Sequence, residues 1–589
     1  MMKTKISRRE LIQKALAGFG AVSLPIGLTA CGDDHDTVMT PKINVAFLHG
    51  VASGDPLKDR VILWTRITPD DLSARLEVIW EIATDQNFSQ IINTGKVETT
   101  QAQDFTVKVD ADLLKADQHY YYRFMFGDVI SPVGRTKTLA ETTTSVKFAV
   151  CSCSNYPAGY FHVYKEMAKQ DFDVVIHLGD YIYEYGADGY ATEDAVKLGR
   201  TLAQDNSAEI VKLDDYRKRY ALYRTDVDLQ ALHQRHPFIV IWDDHELTND
   251  TWREGAENHQ ENEGNFVDRK LAALQAYFEW MPIRPVAEND HLNIYRQFDF
   301  GNLVQLSMLD TRILARDQQL NYANYMTAQG MDFPRFQTDL ISPTRTLMGY
   351  TQREWLEGKL AQSTATWNVL GQQVLMTKMM IPAELLLSLG AVTSGQADAA
   401  ALAALNAQIT ALVKLKIRML AGDQTLTDQD RIRLKTVAPY NLDAWDGYYA
   451  EREKLYAKAK QLNKKLVVLA GDTHNAWQST LRDVQGDKVG VELATSSVSS
   501  PGMEKYLNIP IEQLHEFEFA FTTLIDELEY TNLNQRGYMK VSFTATEMTS
   551  EWVYINTIKN QQYELDNGRK HSLNFDLDLN LIQPLSKSA

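Results

Sequence analysis

Cysteine is nearly absent from this 589-residue chain: there are three, at positions 31, 151 and 153. So small a supply excludes a disulfide-stapled scaffold, which spends many cysteines on a small core. Positive charge is also short, with 60 Lys and Arg against 77 Asp and Glu, a net charge of −17 and a pI near 5.3. No overall basic footprint exists for gripping nucleic-acid phosphates, and specific nucleic-acid binding is not expected. A GxSxG elbow and a P-loop are missing, which leaves acyl transfer by a serine triad, and nucleoside triphosphate binding of that type, without support. Repeats of solenoid period are missing too. What is there is an ordinary soluble composition, 44% hydrophobic and 23% charged, at a length that calls for two or more cores.

Residues 1–31 read as an export signal. Lys3, Lys5, Arg8 and Arg9 precede an apolar stretch from Ala15 to Ala30 that Gly and Pro break up, too short and too interrupted for a membrane-spanning helix. "SRRELI" resembles a twin-arginine signal, read by the export machinery that carries folded, often cofactor-loaded proteins. "LTAC", Leu28 to Cys31, resembles a lipoprotein cleavage box, which would make Cys31 the lipidated first residue; a plain signal peptide with a chance cysteine is the alternative. Removing the segment's five basic and one acidic side chains takes the net charge to −21. The expected location is periplasmic or cell-surface, with membrane contact through Cys31, and residues 32–45 serve as a polar tether.

From 46 to 140 the pattern is β. "RVILWTRI", "ARLEVIWEIAT", "FTVKVD" and "HYYYRFMFG" are β-branched and aromatic runs separated by Gly, Asp and Pro turns, the spacing of a fibronectin III-like β-sandwich. Its expected role is structural, with a binding role as the alternative. From 145 to 560 short apolar strands alternate with longer polar or helical stretches. "VVIHL" and "LVVLA" lack alternation, as strands buried on both faces do, so a layered α/β sheet domain is predicted. An Ala/Leu-rich stretch at about 384–421 predicts a helical insertion, a lid or plain packing. "YMKVSFTATEMTSEWVYI" predicts a closing antiparallel pair, and 561–589 a C-terminal extension.

The acids fall at the ends of the apolar strands. "VVIHL" runs into Gly179-Asp180, "FIVIW" into Asp243-Asp244-His245-Glu246, "QLSML" into Asp310-Thr311-Arg312, "VVLA" into Gly471-Asp472-Thr473-His474, and "FAV" into Cys151-Ser152-Cys153. In an open α/β sheet the functional crevice lies beyond the carboxyl ends of the strands. A single Asp at a strand end is an ordinary helix cap. Five such ends predict a polynuclear metal site, because clustered carboxylates repel one another in a low-dielectric cleft until cations neutralise them. The Cys151 and Cys153 pair is a poor disulfide: one residue apart on a strand, the Cα atoms stand about 6.5 to 7 Å apart with parallel side chains. A thiolate ligand is the stronger reading.

The ordered set "SCSNYPAGYFHVY", "HLGDYIYEYG", "WDDHE", "LDTR", "NLDAWDGY" and "GDTH" resembles the PhoD-type alkaline phosphatase and phosphodiesterase family, iron-calcium metallophosphoesterases related to purple acid phosphatases. "HGVASGDPLKDRVILWTRITP" resembles that family's N-terminal β-domain, so the likeness runs from about His49 to about Ile555. The resemblance implies Fe(III) held by Cys153, Asp180, the phenolate of Tyr183 and His474, and Ca(II) favoured by the anionic oxygens of Asp244 and Asp472. Gln373 and Asn249 are further oxygen donors or structural residues. His245 would contact the phosphate or protonate the leaving oxygen, or else orient a ligand; Arg312 would grip phosphate, or else pack against Asp310 or another acid. The implied activity is hydrolysis of phosphomonoesters, phosphodiesters or both by a metal-activated hydroxide. Its partners would be small phosphoesters or phospholipid head groups. The alternatives are a phospholipase D-like diesterase and a surface binding lipoprotein with a degenerate site.

Overall fold

The computed structural model describes residues 43–287, 290–391 and 399–582. The expected signal, Cys31 and most of the tether lie outside the described residues. Two large mixed sheets face each other. The first has nine strands in the order His571–Phe575, Met548–Ile555, Arg536–Thr544, Ser145–Cys151, Val174–His177, Pro237–Val240, Val51–Gly54, Val61–Arg66 and Thr106–Ala111. The second has seven: Arg296–Phe300, Val304–Met308, Trp367–Gly371, Leu466–Ala470, Lys488–Ala494, Ala476–Arg482 and Leu528–Asn532. The middle of each is parallel, from Ser145–Cys151 to Val51–Gly54 in one and from Val304–Met308 to Lys488–Ala494 in the other. These are the runs without alternation, and Val174–His177, Pro237–Val240 and Leu466–Ala470 are buried at every position. Aromatic rings join the inner faces: Phe148 meets Phe300 edge-on at 4.9 Å, and Trp367 lies 5.8 Å from Phe543. The layered α/β architecture read from the sequence is the one observed.

The N-terminal sandwich is present but is not a separate body. A five-stranded sheet, Gly134–Lys137, His119–Phe126, Leu76–Ala83 and Ile91–Thr99 with Val129–Ile130 beside His119–Phe126, packs Val78, Tyr122 and Phe124 against Leu63 and Val107. The opposing layer is the end of the nine-stranded sheet itself, because Val51–Gly54 pairs in parallel with Pro237–Val240. Val51–Gly54 is buried throughout and Val61–Arg66 nearly so, as an interior position demands. Composition shows where a strand is and not which distant strand it joins. The region past 560 likewise gives a strand to the main sheet, His571–Phe575 against Met548–Trp552. The expected closing pair, Arg536–Thr544 with Met548–Ile555, is antiparallel and in register. The Ala-rich insertion forms helices Ala383–Ala391 and Ala399–Leu420. The second buries Leu405 and Leu412 and anchors Lys416 to Asp526 at 2.5 Å.

Candidate metal centre

The parallel strands of both sheets end on one side of the molecule, and the acidic turns follow them there. Tight turns require unusual backbone. Cys153, Asp180, Asp472 and His474 all have left-handed φ, between 55° and 64°, which costs an L-residue energy that the surroundings must supply and that concentrates at functional sites. Gly179 has φ 102°, and a Cβ there would stand 2.4 Å from the Cβ of Asp243; only glycine lets the two turns approach. Turns are locked by backbone bonds, Cys153 N–H to Gly179 O at 3.1 Å and Ser154 N–H to Asp180 O at 2.8 Å. Glu246, buried, accepts from the N–H groups of Asp180 (3.0 Å), Asp243 (2.7 Å) and Tyr181, and burial pushes its carboxyl up to about 8.

Three overlapping donor groups result, each with its ligand atoms within 4.8 Å of one another: Cys153, Asp180 and His474; Asp180, Asp244 and His245; Asp243, Asp244 and Asp472. Asp180 belongs to the first two and Asp244 to the last two, so the groups form one chain of donors. The Tyr183 hydroxyl lies 3.1 Å from both Asp180 Oδ2 and His474 Nε2, and accepts from Ser500 Oγ at 2.6 Å. Asp180 Oδ1 and Asp243 Oδ2 are buried without a hydrogen-bond partner among the described residues. A buried carboxylate oxygen without a donor is costly, and a cation satisfies it. Thiol, phenol, imidazole and carboxylate together are a donor set that fits metal, and the two orphaned oxygens fit it as well.

Electrostatics point the same way. Burial pushes Cys153, Tyr183, Asp243 and Asp472 well above their ordinary values, with neighbouring anions adding to the effect. Asp244 is the exception: burial works against its ionisation, yet Arg312 and His245 hold its carboxyl down at about 2. Cys151 goes the other way, into the hydrophobic core, with its thiol pushed up by burial alone. Strand alternation would have aimed both thiols alike; the left-handed turn at Cys153 separates them. Among the described residues both cysteines are unbridged.

Residues 148–552 match the family profile described as PhoD-like phosphatase, and residues 34–140 match that of the PhoD-like phosphatase N-terminal domain. The chain belongs to the PhoD-like phosphatase family. It is 36% identical over 520 residues to alkaline phosphatase D of Bacillus subtilis (strain 168), covering 84% of this chain and 76% of the relative. A solved PhoD structure superposes with a TM-score of 0.71 at 31% identity, over 91% of this chain and 92% of that one. The PhoD-like protein is thus a phosphoester hydrolase of a class that implies a metal cofactor.

Of the site residues expected from the sequence, the PhoD-like fold brings Cys153, Asp180, Tyr183, Asp244, His245, Asp472 and His474 together. Arg312 is placed differently from the expected phosphate clamp. Its side chain is fully buried, with Nε on Asp243, Nη1 on Asp443 at 2.9 Å and Nη2 on Asp472 at 2.7 Å. Every nitrogen meets a carboxylate, so Arg312 is the cluster's fixed counter-cation. Its partner is not Asp310, which instead accepts from the N–H groups of Arg312, Ile313 and Leu314. Gln373 is engaged at both ends, accepting from Thr311 and donating to Trp242 O, and braces the turn. Asn249 gives its backbone N–H to Glu184 and its amide to Glu257. Sequence reasoning missed Glu184, and it placed Asp243 among the strand-end acids without giving it a role of its own. Glu184 is buried and accepts from His245 Nδ1 (2.7 Å), Asn249 N–H (2.8 Å) and Asn258 Nδ2 (2.9 Å). Burial opposes its charge, and His245 holds it ionised. The signal was a carboxylate lodged among tyrosines in "DYIYEYG".

Proposed function

We propose that this protein is an exported, metal-dependent phosphoesterase that hydrolyses phosphomonoesters or phosphodiesters, with iron and calcium as its ions. The continuous chain of donors from Cys153 through Asp180 and Asp244 to Asp472 carries this reading. Cys153, Asp180, Tyr183 and His474 would hold iron, and Asp244 and Asp472, anionic oxygen donors, would favour calcium. Bound there, the ions would neutralise the carboxylates, hold the phosphate and acidify a water for attack on phosphorus.

The chain's own residues do the positioning. Arg312 opposes the effect of burial on Asp243 and Asp472 and holds both carboxyl groups aimed at one place. Glu184 takes Nδ1 of His245 and leaves Nε2 as the nitrogen that meets the phosphate or the leaving oxygen. The His245 ring lies 4.2 Å from that of Tyr183, which limits its rotation. Pro501 O and Tyr190 Oη hold Nδ1 of His474 at 2.7 and 3.2 Å, fixing the ring that presents Nε2 to Tyr183.

Metal analysis of the natively exported protein, with hydrolysis of p-nitrophenyl phosphate and bis-p-nitrophenyl phosphate with and without a calcium chelator, tests the reading. Iron and calcium in the protein and chelator-sensitive turnover are expected. A metal-free protein with full turnover overturns it. C153A is expected to lose iron and its charge-transfer colour; full retention of both would remove the thiolate from the ligand set. Arg8-Arg9 and the box ending at Cys31 support twin-arginine export and lipid anchoring. C31A is then expected to move the protein from the membrane fraction to the soluble one.

A further inference from the structure

A chain of net charge −17 does not draw an anionic ester to an acidic cleft over long range, so contacts to the alcohol part of the substrate gain importance. Three tyrosines from two segments stand beside the donor cluster. The Tyr185 ring lies 5.5 Å from His245 and 5.7 Å from Tyr190, and the Tyr190 ring is nearly parallel to that of Tyr506, 7° apart at 6.2 Å. Two of the hydroxyls are spoken for: Tyr506 Oη donates to Tyr190 Oη at 2.9 Å, and Tyr190 Oη donates to Pro501 O at 3.1 Å. With those polar ends tied down, the Tyr190 and Tyr506 rings are held at a fixed angle beside Tyr185, and Tyr506 is 49% exposed.

We infer that Tyr185, Tyr190 and Tyr506 form a subsite for a flat aromatic ring in the alcohol part of the phosphoester. The inference rests on the phosphoesterase reading of the same site. Water oxygen bonds to phosphorus, the phosphorus–oxygen bond to the aromatic alcohol breaks, the alcohol leaves with a proton, and the stacked ring is unchanged.

The test uses the full-length protein and two esters of similar size and leaving-group basicity, benzyl phosphate and cyclohexylmethyl phosphate. Wild type is expected to favour the benzyl ester about fivefold in kcat/KM, the scale of one aromatic pair. Y506F, which keeps the ring, retains the preference, and Y506L loses it. Binding of benzylphosphonate and cyclohexylmethylphosphonate, read by calorimetry without turnover, should show the same order. Equal or reversed preference in wild type, or a preference unchanged in Y506L, overturns the subsite while leaving the phosphoesterase reading intact. Failure to hydrolyse either ester or to bind either phosphonate overturns both.

Discussion

Arg312 and Glu184 are two buried charges with opposite duties, and their substitutions separate stability from chemistry. Removing one partner from a buried ion network leaves the others uncompensated, at a cost of about 3 to 5 kcal/mol. R312M is therefore expected to lower the melting temperature sharply, and added calcium to restore part of the loss by neutralising Asp243 and Asp472. A melting temperature that calcium does not move would refute the counter-cation role. E184Q acts elsewhere: it leaves the donor chain intact and loosens His245, so turnover should fall about 10- to 100-fold with iron content unchanged. The fall should be larger for alkyl esters, whose leaving oxygen needs a proton, than for p-nitrophenyl esters; equal losses would take His245 away from the leaving group. At this scale the sequence was most informative where residue type alone restricts chemistry. Cys153, Asp180 and His474 stand out as ligand types at strand ends, whereas the surroundings of Arg312 come from turns 131 and 160 residues away in the chain and leave no local mark.

Strands carry the next set of consequences. Gly54 sits where Val51–Gly54 meets Pro237–Val240, and a Cβ there would lie 2.0 Å from Pro282 O and 2.8 Å from Phe238 O. Backbone atoms cannot yield, so G54A is expected to destabilise both layers of the sandwich together, visible as one cooperative thermal transition at lower temperature. Two separated transitions would show that the layers are independent. Glu492, buried on Lys488–Ala494, faces the N–H groups of Met376 (2.6 Å) and Thr377 (3.0 Å), yet burial dominates and pushes its carboxyl up to about 8. The folded protein keeps a proton that the unfolded chain releases near 4.5. Stability from this group is therefore full below that value and is lost as pH rises through about 8. E492Q, with nothing to titrate, should show a flatter dependence of melting temperature on pH between about 5 and 9; an unchanged slope would place the titration elsewhere. Periodicity reported the strands well, because burial on two faces forces apolar runs. It could not report their neighbours, which is why the seam at Gly54 was invisible before the pairing was seen.

For the whole molecule, charge of one sign sets how substrate arrives. An acidic protein and a dianionic ester repel, and salt screens the repulsion. kcat/KM for a phosphomonoester should therefore rise with ionic strength at fixed calcium, and more steeply than for a singly charged diester; a fall would reveal a local basic approach path. The nine-stranded sheet has a further consequence, in time. Val51–Gly54 is synthesised about 180 residues before the strand that completes its ladder, and Arg536–Thr544 must still add to the other side of Ser145–Cys151. At ribosomal speed the first strand waits on the order of ten seconds or more for its partner, and the sheet closes only when roughly the last tenth of the chain is available. Contacts of such long span fold slowly. Val51–Gly54 therefore stays unpaired on one side until Pro237–Val240 is made, and Ser145–Cys151 until Arg536–Thr544 follows, so a chaperone that covers these apolar edges in turn would guard the whole protein.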